Sequence, residues 1–140
     1  MKVAIVHPRN AKKSEVVSKE VAKWARSYSQ VIEEYNPNTS VDLIVIVFDE
    51  WCFDYKTMQS FIKRLSRDYV KNICIINTFY ITNKRLDKVV KLCQGLHLPL
   101  MREQYSCKLQ LKNYKVVPRE ALDGARLYVE DMVHIIQNYY

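Results

Sequence analysis

Two uninterrupted runs of aliphatic and β-branched residues limit what this chain can fold into. Residues 43–48 read LIVIVF and residues 73–76 read ICII. A strand with one face in water alternates apolar and polar residues, whereas a strand without polar positions is buried on both faces. Amphipathic helical patterns flank both runs, which is typical of a parallel sheet covered by helices on both sides. The sequence therefore predicts a three-layer α/β domain.

The remaining elements continue this alternation and predict the order β-α-β-β-α-β-α-β-α. Further strands are predicted at residues 3–7, 31–35 and 105–112, the last at a sheet edge because its apolar and polar residues alternate. Ser14 and Asn83 are candidate N-caps, and Pro118 is predicted to open the last helix. The connection from residue 35 to residue 41 is short for a parallel crossover. Either a turn replaces a helix there or the weak strand at 31–35 is misplaced.

Length and residue spacing exclude several other classes of protein. With 140 residues and no linker or repeat, the chain is predicted to form a single domain spanning residues 1–140. No apolar run approaches the ~18 residues of a membrane span, and the apolar start is too short for a signal-peptide core. The three histidines and four cysteines lack the spacing of metal ligands. We therefore expect no metal site, no membrane partner and a cytoplasmic protein with reduced thiols. The cysteines are Cys52, Cys74, Cys93 and Cys107.

The net charge of +7 comes from one segment of the sequence. Between Lys84 and Arg119 there are nine basic residues but two acidic ones, Asp87 and Glu103, while the rest of the chain is balanced. Such a one-sided excess favours an acidic protein as partner. Nucleic acid is disfavoured, because no recognised nucleic-acid-binding motif accompanies the charge.

The loops that follow the predicted strands contain the candidate ligand residues. In doubly wound sheets, ligands bind beyond the carboxyl ends of the strands, where the strand order reverses. The first such loop, residues 8–14, is basic and runs into a helix N-terminus, which favours an anion. The second carries Trp51 after the acidic pair Asp49 and Glu50, and the third carries Tyr80. An anion site beside two aromatic loops suits a planar ring that bears a phosphate.

Several of these segments resemble the flavodoxin family. The strand, loop and helix of residues 5–15 stand where that family has its phosphate loop, and Trp51 follows the third strand at the family's aromatic position. Residues 105–107 (YSC) are similar to the family's Phe-x-Cys ending. Residues 118–125 (PREALDGA) are similar to its Pro-x-x-x-Asp-x-x-x-Ala helix. The resemblance extends over nearly the whole chain.

This resemblance implies a flavodoxin-like, five-stranded parallel sheet in the order 2-1-3-4-5 and a site for flavin mononucleotide (FMN). It implies an electron carrier more than a stand-alone enzyme, with no catalytic residue of its own. Trp51 and Tyr80 would flank the flavin ring, and Asn77 and Thr78 would face its polar edge. The phosphate would be held by the basic loop, through Arg9, Asn10, Lys12, Lys13 and Ser14.

Glycine scarcity is the main departure from this family. The chain has two glycines, Gly95 and Gly124, and neither lies in a loop that would hold FMN. Glycine lets a backbone approach phosphate closely, so lysines must compensate here or the cofactor has been lost. Two alternatives therefore stay open: a cofactor-free binding module that uses its basic surface for a protein partner, and a small flavin-dependent reductase.

Overall fold

The computed structural model describes residues 1–51, 54–110 and 116–139. Its nine elements follow the predicted order. The strands are β1 (Val3–His7), β2 (Ser29–Val31), β3 (Leu43–Asp49), β4 (Ile73–Phe79) and β5 (Tyr105–Lys108). The helices are α1 (Lys12–Ala25), α2 (Tyr55–Arg64), α3 (Lys84–Gly95) and α4 (Arg119–Tyr139).

The five strands form one parallel sheet in the order β2-β1-β3-β4-β5. This confirms the predicted flavodoxin-like order 2-1-3-4-5. The strand β3 lies at the centre, and all seven of its residues are buried, as expected of a strand with no polar positions before its last residue. The strand order reverses between β1 and β3, so a ligand crevice is expected beyond their carboxyl ends.

The helices cover the sheet as two separate layers. Alternate residues of β3 point to opposite sides: Val45 packs with α1 and α4, whereas Ile44 and Ile46 pack with α2 and α3. Each side has its own cluster of fully buried apolar side chains. The molecule is therefore a three-layer sandwich, as predicted.

The connection between β2 and β3 contains turns and no helix. The predicted strand at residues 31–35 was misplaced, because β2 ends at Val31 and the chain then turns inward. Burial explains the turn: Ile32 and Tyr35 enter the core on the α2 side of the sheet. The Tyr35 ring meets the edge of Phe61, with 6.1 Å between ring centroids. These two side chains cover sheet surface that a crossover helix would otherwise cover.

Two predictions about helix caps were wrong. Helix α1 begins at Lys12 after Ala11, so Ser14 lies inside the first turn and its hydroxyl is used elsewhere. Asn83 does precede α3, but its side chain makes no capping hydrogen bond. The side chain of Asp54 does cap a helix, accepting a hydrogen bond from the amide of Lys56 in α2.

The C-terminal part of the sheet agrees with the prediction of an edge strand. Among the residues that the structure describes, strand β5 pairs with β4 alone, and it ends at Lys108. The described residues do not include the end of the predicted strand, residues 111 and 112. They also do not include Cys52, one of the four predicted core thiols. The other three cysteines are free and buried. Among the described helices, none has the length and apolar character to cross a membrane.

Candidate functional site

Buried polar side chains gather where β1, β3 and β4 end. Asp49 ends β3 and Glu50 follows it, with 2% and 7% of their surface exposed. Asn77 and Thr78 lie on the neighbouring β4 and are fully buried. Buried polar groups need hydrogen-bond partners, and these four side chains find them in one another and in groups of α1, α3 and β5. This edge of the sheet is the crevice predicted from the topology.

Asp49 joins the three loops of this edge. Its Oδ1 accepts a hydrogen bond of 2.8 Å from the hydroxyl of Ser14 in the first turn of α1. The same oxygen accepts a hydrogen bond from the hydroxyl of Thr78 on β4. The basic loop, the end of β3 and the end of β4 are therefore held at a single carboxyl group. Ser14 and Thr78 were predicted as ligand residues, and their hydroxyls are engaged with Asp49.

Glu50 plays a matching part on the α3 side. Its Oε2 accepts a hydrogen bond of 2.9 Å from the side-chain amide of Asn77, and its Oε1 accepts from the backbone amide of Arg85. Asn77 in turn accepts a hydrogen bond of 2.6 Å from the Ser106 hydroxyl on β5. Glu50 thus satisfies an N-terminal amide of α3 that Asn83 leaves without a side-chain cap.

Trp51 and Tyr80 meet at the mouth of a cleft of about 460 Å³. Their rings are in edge-to-face contact, with 4.8 Å between centroids and 72° between ring planes. Basic side chains from the first turns of α3 form the opposite part of the lining. The cleft residues are Glu50, Trp51, Tyr80, Ile81, Thr82, Lys84, Arg85 and Lys88.

The basic loop enters α1 without a side-chain cap. Ala11 occupies the N-cap position and has no side-chain acceptor for the first amides of the helix. The loop makes its left-handed turn at Asn10, where φ is 64°, because asparagine tolerates this region better than most residues. Lys12 and Lys13 follow directly. Helix amides with adjacent lysines favour an anion, and the loop achieves its turn without glycine.

Arg9 is directed away from this helix N-terminus. Its guanidinium lies 2.8 Å from Glu34 in the turn after β2, and its backbone amide donates to the carboxylate of Glu33. Arg9 lines a separate cavity of about 580 Å³ with Asn10 and Lys12, on the β2 side of the loop. The Arg9 guanidinium is therefore held on the β2 side of the loop by Glu34.

The predicted basic segment is divided between opposite sides of the sheet. Arg119 pairs with Glu20 at 2.9 Å and with Asp123 at 3.0 Å in the α1–α4 layer, and these contacts raise its pKa. Lys84, Arg85 and Lys88 belong to α3 on the other side and line the cleft. Two further members, Lys112 and Lys115, lie outside the described residues.

Sequence reasoning missed the contribution of α3 and of Ser106 to the site. The lining of the cleft includes Ile81, Thr82 and basic residues from the start of α3. The sequence analysis counted those basic residues in the net charge and assigned them to no site. A loop that runs from the end of β4 straight into a helix beginning Lys84-Arg85 was the available signal. Ser106 is brought to Asn77 by the register of β4 with β5, which a single sequence does not reveal.

The residue types at this edge fit FMN at both ends of that molecule. The uncapped start of α1 with Lys12 and Lys13 suits a phosphate, and Trp51 with Tyr80 suits an aromatic ring system. Two rings that enclose a planar group are separated by about 7–8 Å, twice the normal van der Waals spacing, whereas these two lie 4.8 Å apart. Binding between them therefore requires Trp51, whose side chain is 60% exposed, to swing outward.

No group of histidine, cysteine, aspartate and glutamate side chains within the described ranges could hold a metal ion. Asp49 and Glu50 are the acidic pair closest to the cleft, and their oxygens already accept hydrogen bonds from Ser14, Thr78 and Asn77.

Comparison with known proteins supports the fold. The chain is similar to the structure of a flavodoxin from the domain Archaea, with a TM-score of 0.72 over 99% of this chain and 100% of that one. Sequence identity between the two is 11%, so the likeness concerns the fold. Neither a protein-family model nor a curated protein matches this sequence.

Proposed function

Given this flavodoxin-like fold, we propose that the protein binds FMN at the edge organised by Asp49 and carries electrons to a protein partner. The observation that carries the proposal is the double hydrogen bond to Asp49. It fixes Ser14 of the basic loop and Thr78 of β4 to the end of β3. The loop proposed to bind the phosphate and the Trp51–Tyr80 pair would thereby be held at one edge of the sheet.

The roles of the residues follow from what their side chains contact. Lys12, Lys13 and the first amides of α1 would bind the phosphate, because no side chain caps that helix. Asn10 would shape the loop through its left-handed backbone. Arg9 would anchor the loop to Glu34. Ser14 would keep the loop in register with β3 through Asp49.

The ring end would be formed by the two loops after β3 and β4. Trp51 and Tyr80 would enclose the ring, and Asn77 and Thr78 would hold the loops that carry them through Glu50 and Asp49. When bound, FMN supplies the electron-transfer chemistry. The exposed position of Trp51 would keep the ring edge close to the surface, which favours an electron carrier over a reductase with an enclosed substrate.

Tryptophan fluorescence tests the proposal, because the chain has two tryptophans in different settings. Trp51 lies at the cleft, whereas Trp24 lies on α1 and packs against the core of the other layer. We expect FMN to quench the emission of the Trp24→Phe variant, in which Trp51 is the remaining tryptophan. The Trp51→Phe variant should lose most of the quenching and bind FMN more weakly.

A protein that is colourless when purified and that shows no quenching in either variant would contradict FMN binding. Equal quenching in both variants would place the flavin away from Trp51. Circular dichroism of both variants controls for folding. Trp24→Phe is the more destabilising of the two substitutions, because Trp24 is partly buried against the core and Trp51 is exposed.

One observation favours the alternative of a binding module without cofactor. Trp51 and Tyr80 touch each other directly, which fills the place that a ring would take and stabilises the cofactor-free arrangement by about 0.5–1.5 kcal/mol. In that case FMN would quench the tryptophan emission of neither the unmodified protein nor the Trp51→Phe variant.

A further inference from the structure

The two helix layers differ sharply in charge. Helices α1 and α4 together carry six basic and six acidic residues and are neutral. Helices α2 and α3 carry seven basic residues against one acidic residue, Asp87, a net charge of +6. The net charge of these two helices is therefore close to the +7 of the whole chain. We call the surface that they form the α2–α3 face.

The ion pairs among the described residues lie mostly away from the α2–α3 face. Four of the ion pairs among the described residues lie within the α1–α4 layer: Lys19 with Glu15, Arg119 with Glu20 and Asp123, and Arg126 with Glu130. The other two lie at the ends of the sheet. Within the described ranges, six cations of the α2–α3 face are in no ion pair: Lys56, Lys63, Arg64, Lys84, Lys88 and Lys91.

Some of these cations are held in place by aromatic rings. Lys88 of α3 lies over the ring of Tyr55 at the start of α2, with 5.7 Å from Nζ to the ring centroid. The guanidinium of Arg64 lies 6.0 Å from the centroid of Phe61. Cation–π contacts keep the positive charge available to a partner while restricting the side chain. The face is thus both charged and partly pre-ordered.

Exposed apolar side chains lie at one end of this face. Ile81, three residues before α3, is 77% exposed, and Trp51 beside it at the cleft is 60% exposed. Protein interfaces typically have aromatic and aliphatic anchors surrounded by charged residues. An apolar end that borders a row of lysines has this arrangement.

We propose that the α2–α3 face docks an acidic protein, with Ile81 and Trp51 as its apolar anchor. Charge complementarity identifies the partner, because a surface of net +6 steers and orients an acidic surface and repels a basic one. The aliphatic side chain of Ile81 favours a protein over a nucleic acid, whose bases stack on aromatic rings. The inference goes beyond the proposed function, since the face is complete without FMN.

The size of the face indicates a transient complex. Helices α2 and α3 have 10 and 12 residues, hence lengths of about 15 and 18 Å, and each is about 10 Å wide. Such an area belongs to the small interfaces of weak, rapidly exchanging complexes. Affinity should therefore depend strongly on ionic strength.

Charge reversal on the two helix layers tests the proposal. The test variant is Lys63→Glu with Lys91→Glu on the α2–α3 face; both side chains are exposed and neither lines the cleft. The control is Lys23→Glu with Arg126→Glu in the α1–α4 layer. It changes the net charge equally, and Lys23 and Lys63 both lie in the last turn of their helices.

The binding probe is cytochrome b5, an acidic haem protein, and the control probe is cytochrome c, a basic one. Each is titrated by calorimetry against the flavin-free protein.

We expect cytochrome b5 to bind with a Kd that rises with salt, and cytochrome c not to bind. The α2–α3 reversal should weaken binding about tenfold or more, while the control stays within about twofold. Ile81→Ser should also weaken binding without changing the salt dependence.

Equal weakening by both charge reversals would overturn the proposal, since the net charge alone would then account for binding. Binding of a 20-nucleotide single strand or of phosphatidylserine vesicles, with none of cytochrome b5, would also overturn it. FMN binding by the same samples, measured separately, distinguishes failure of this inference from failure of the proposed function.

Discussion

Replacing Gly124 by alanine should destabilise the protein, although Gly124 lies inside a helix. An alanine in a helix interior is normally about 0.8–1.0 kcal/mol more favourable than glycine. Neither of the two glycines has a positive φ, so the backbone conformation itself would accept alanine at both positions. The effect at Gly124 is therefore decided by what lies next to it.

Tyr105 occupies the space that a side chain at position 124 would need. A Cβ atom there would lie 2.0 Å from Tyr105 Oη and 2.7 Å from Cζ, whereas non-bonded atoms pack at about 3.5–4.0 Å. The Tyr105 ring is itself stacked on Tyr128, with 5.9 Å between centroids. Moving it away disturbs the packing between α4 and β5, and overpacking of this kind costs about 1–3 kcal/mol.

The net change for Gly124→Ala is then a loss of up to about 2 kcal/mol, since the gain in helix propensity offsets part of the clash. In a Tyr105→Ala background the clash is absent, so Gly124→Ala should stabilise by about 0.8–1.0 kcal/mol. The two substitutions should therefore be coupled by about 1–3 kcal/mol. Urea unfolding of the four proteins of this cycle, followed by circular dichroism, measures the coupling.

Gly95 provides the matched control. It ends α3, and a Cβ atom there would meet no atom within 4 Å. Gly95→Ala should be neutral or slightly stabilising, independently of residue 105. If Gly124→Ala stabilises the protein by about 1 kcal/mol in both backgrounds, the close contact with Tyr105 does not exist in solution and the reasoning is refuted.

Three further predictions concern other parts of the molecule. Ser14→Ala and Thr78→Val each remove a donor to the buried Asp49 carboxyl and should each cost about 1–3 kcal/mol in urea unfolding; a loss no larger than that of the exposed Ser40→Ala would contradict this. Burial raises the pKa of Cys74 and Cys107 to about 12 and that of Cys93 to about 11. In a Cys52→Ser background these thiols should therefore resist a thiol reagent at neutral pH until denaturant is added, and rapid labelling of the folded protein would count against their burial. The hydrogen bond from the Lys2 amide and the charge of Lys71 lower the pKa of Asp42, so its contribution to stability is complete above the ordinary carboxyl pKa and is lost as the pH falls through the lowered folded-state pKa. The acid limb of stability should therefore be shallower in Asp42→Asn, and an unchanged limb would show that this carboxyl is not linked to folding.

The fold was predictable because it depends on local patterns of apolar residues, which can be seen in short stretches of the sequence. Residues 43–48 and 73–76 are apolar at every position, and burial on both faces leaves few arrangements other than a parallel sheet between helices. The start of β2 was less predictable. Ile32 and Tyr35 are buried in a turn, and an apolar residue buried in a turn looks the same in sequence as one buried in a strand.

The site was predicted as three loops, but its internal connections were not. Trp51 and Tyr80 were expected to face each other across a ligand, and they touch. Ser14 was expected as a helix cap and binds Asp49 from inside the helix. Which donor serves which acceptor depends on distances set by packing across the sheet, and residues 35 positions apart, such as Ser14 and Asp49, carry no local signal of their pairing.

The unequal strand lengths have a consequence for the behaviour of the protein in concentrated solution. The inner strands β3 and β4 have seven residues each, whereas the outer strands β2 and β5 have three and four. An edge strand exposes unpaired amides and carbonyls to which another chain can add a strand. Short edges offer few such groups, and the lysine that ends β5 adds a charge to that edge. A chain whose central strands are as apolar as LIVIVF is thereby protected against self-association through its sheet.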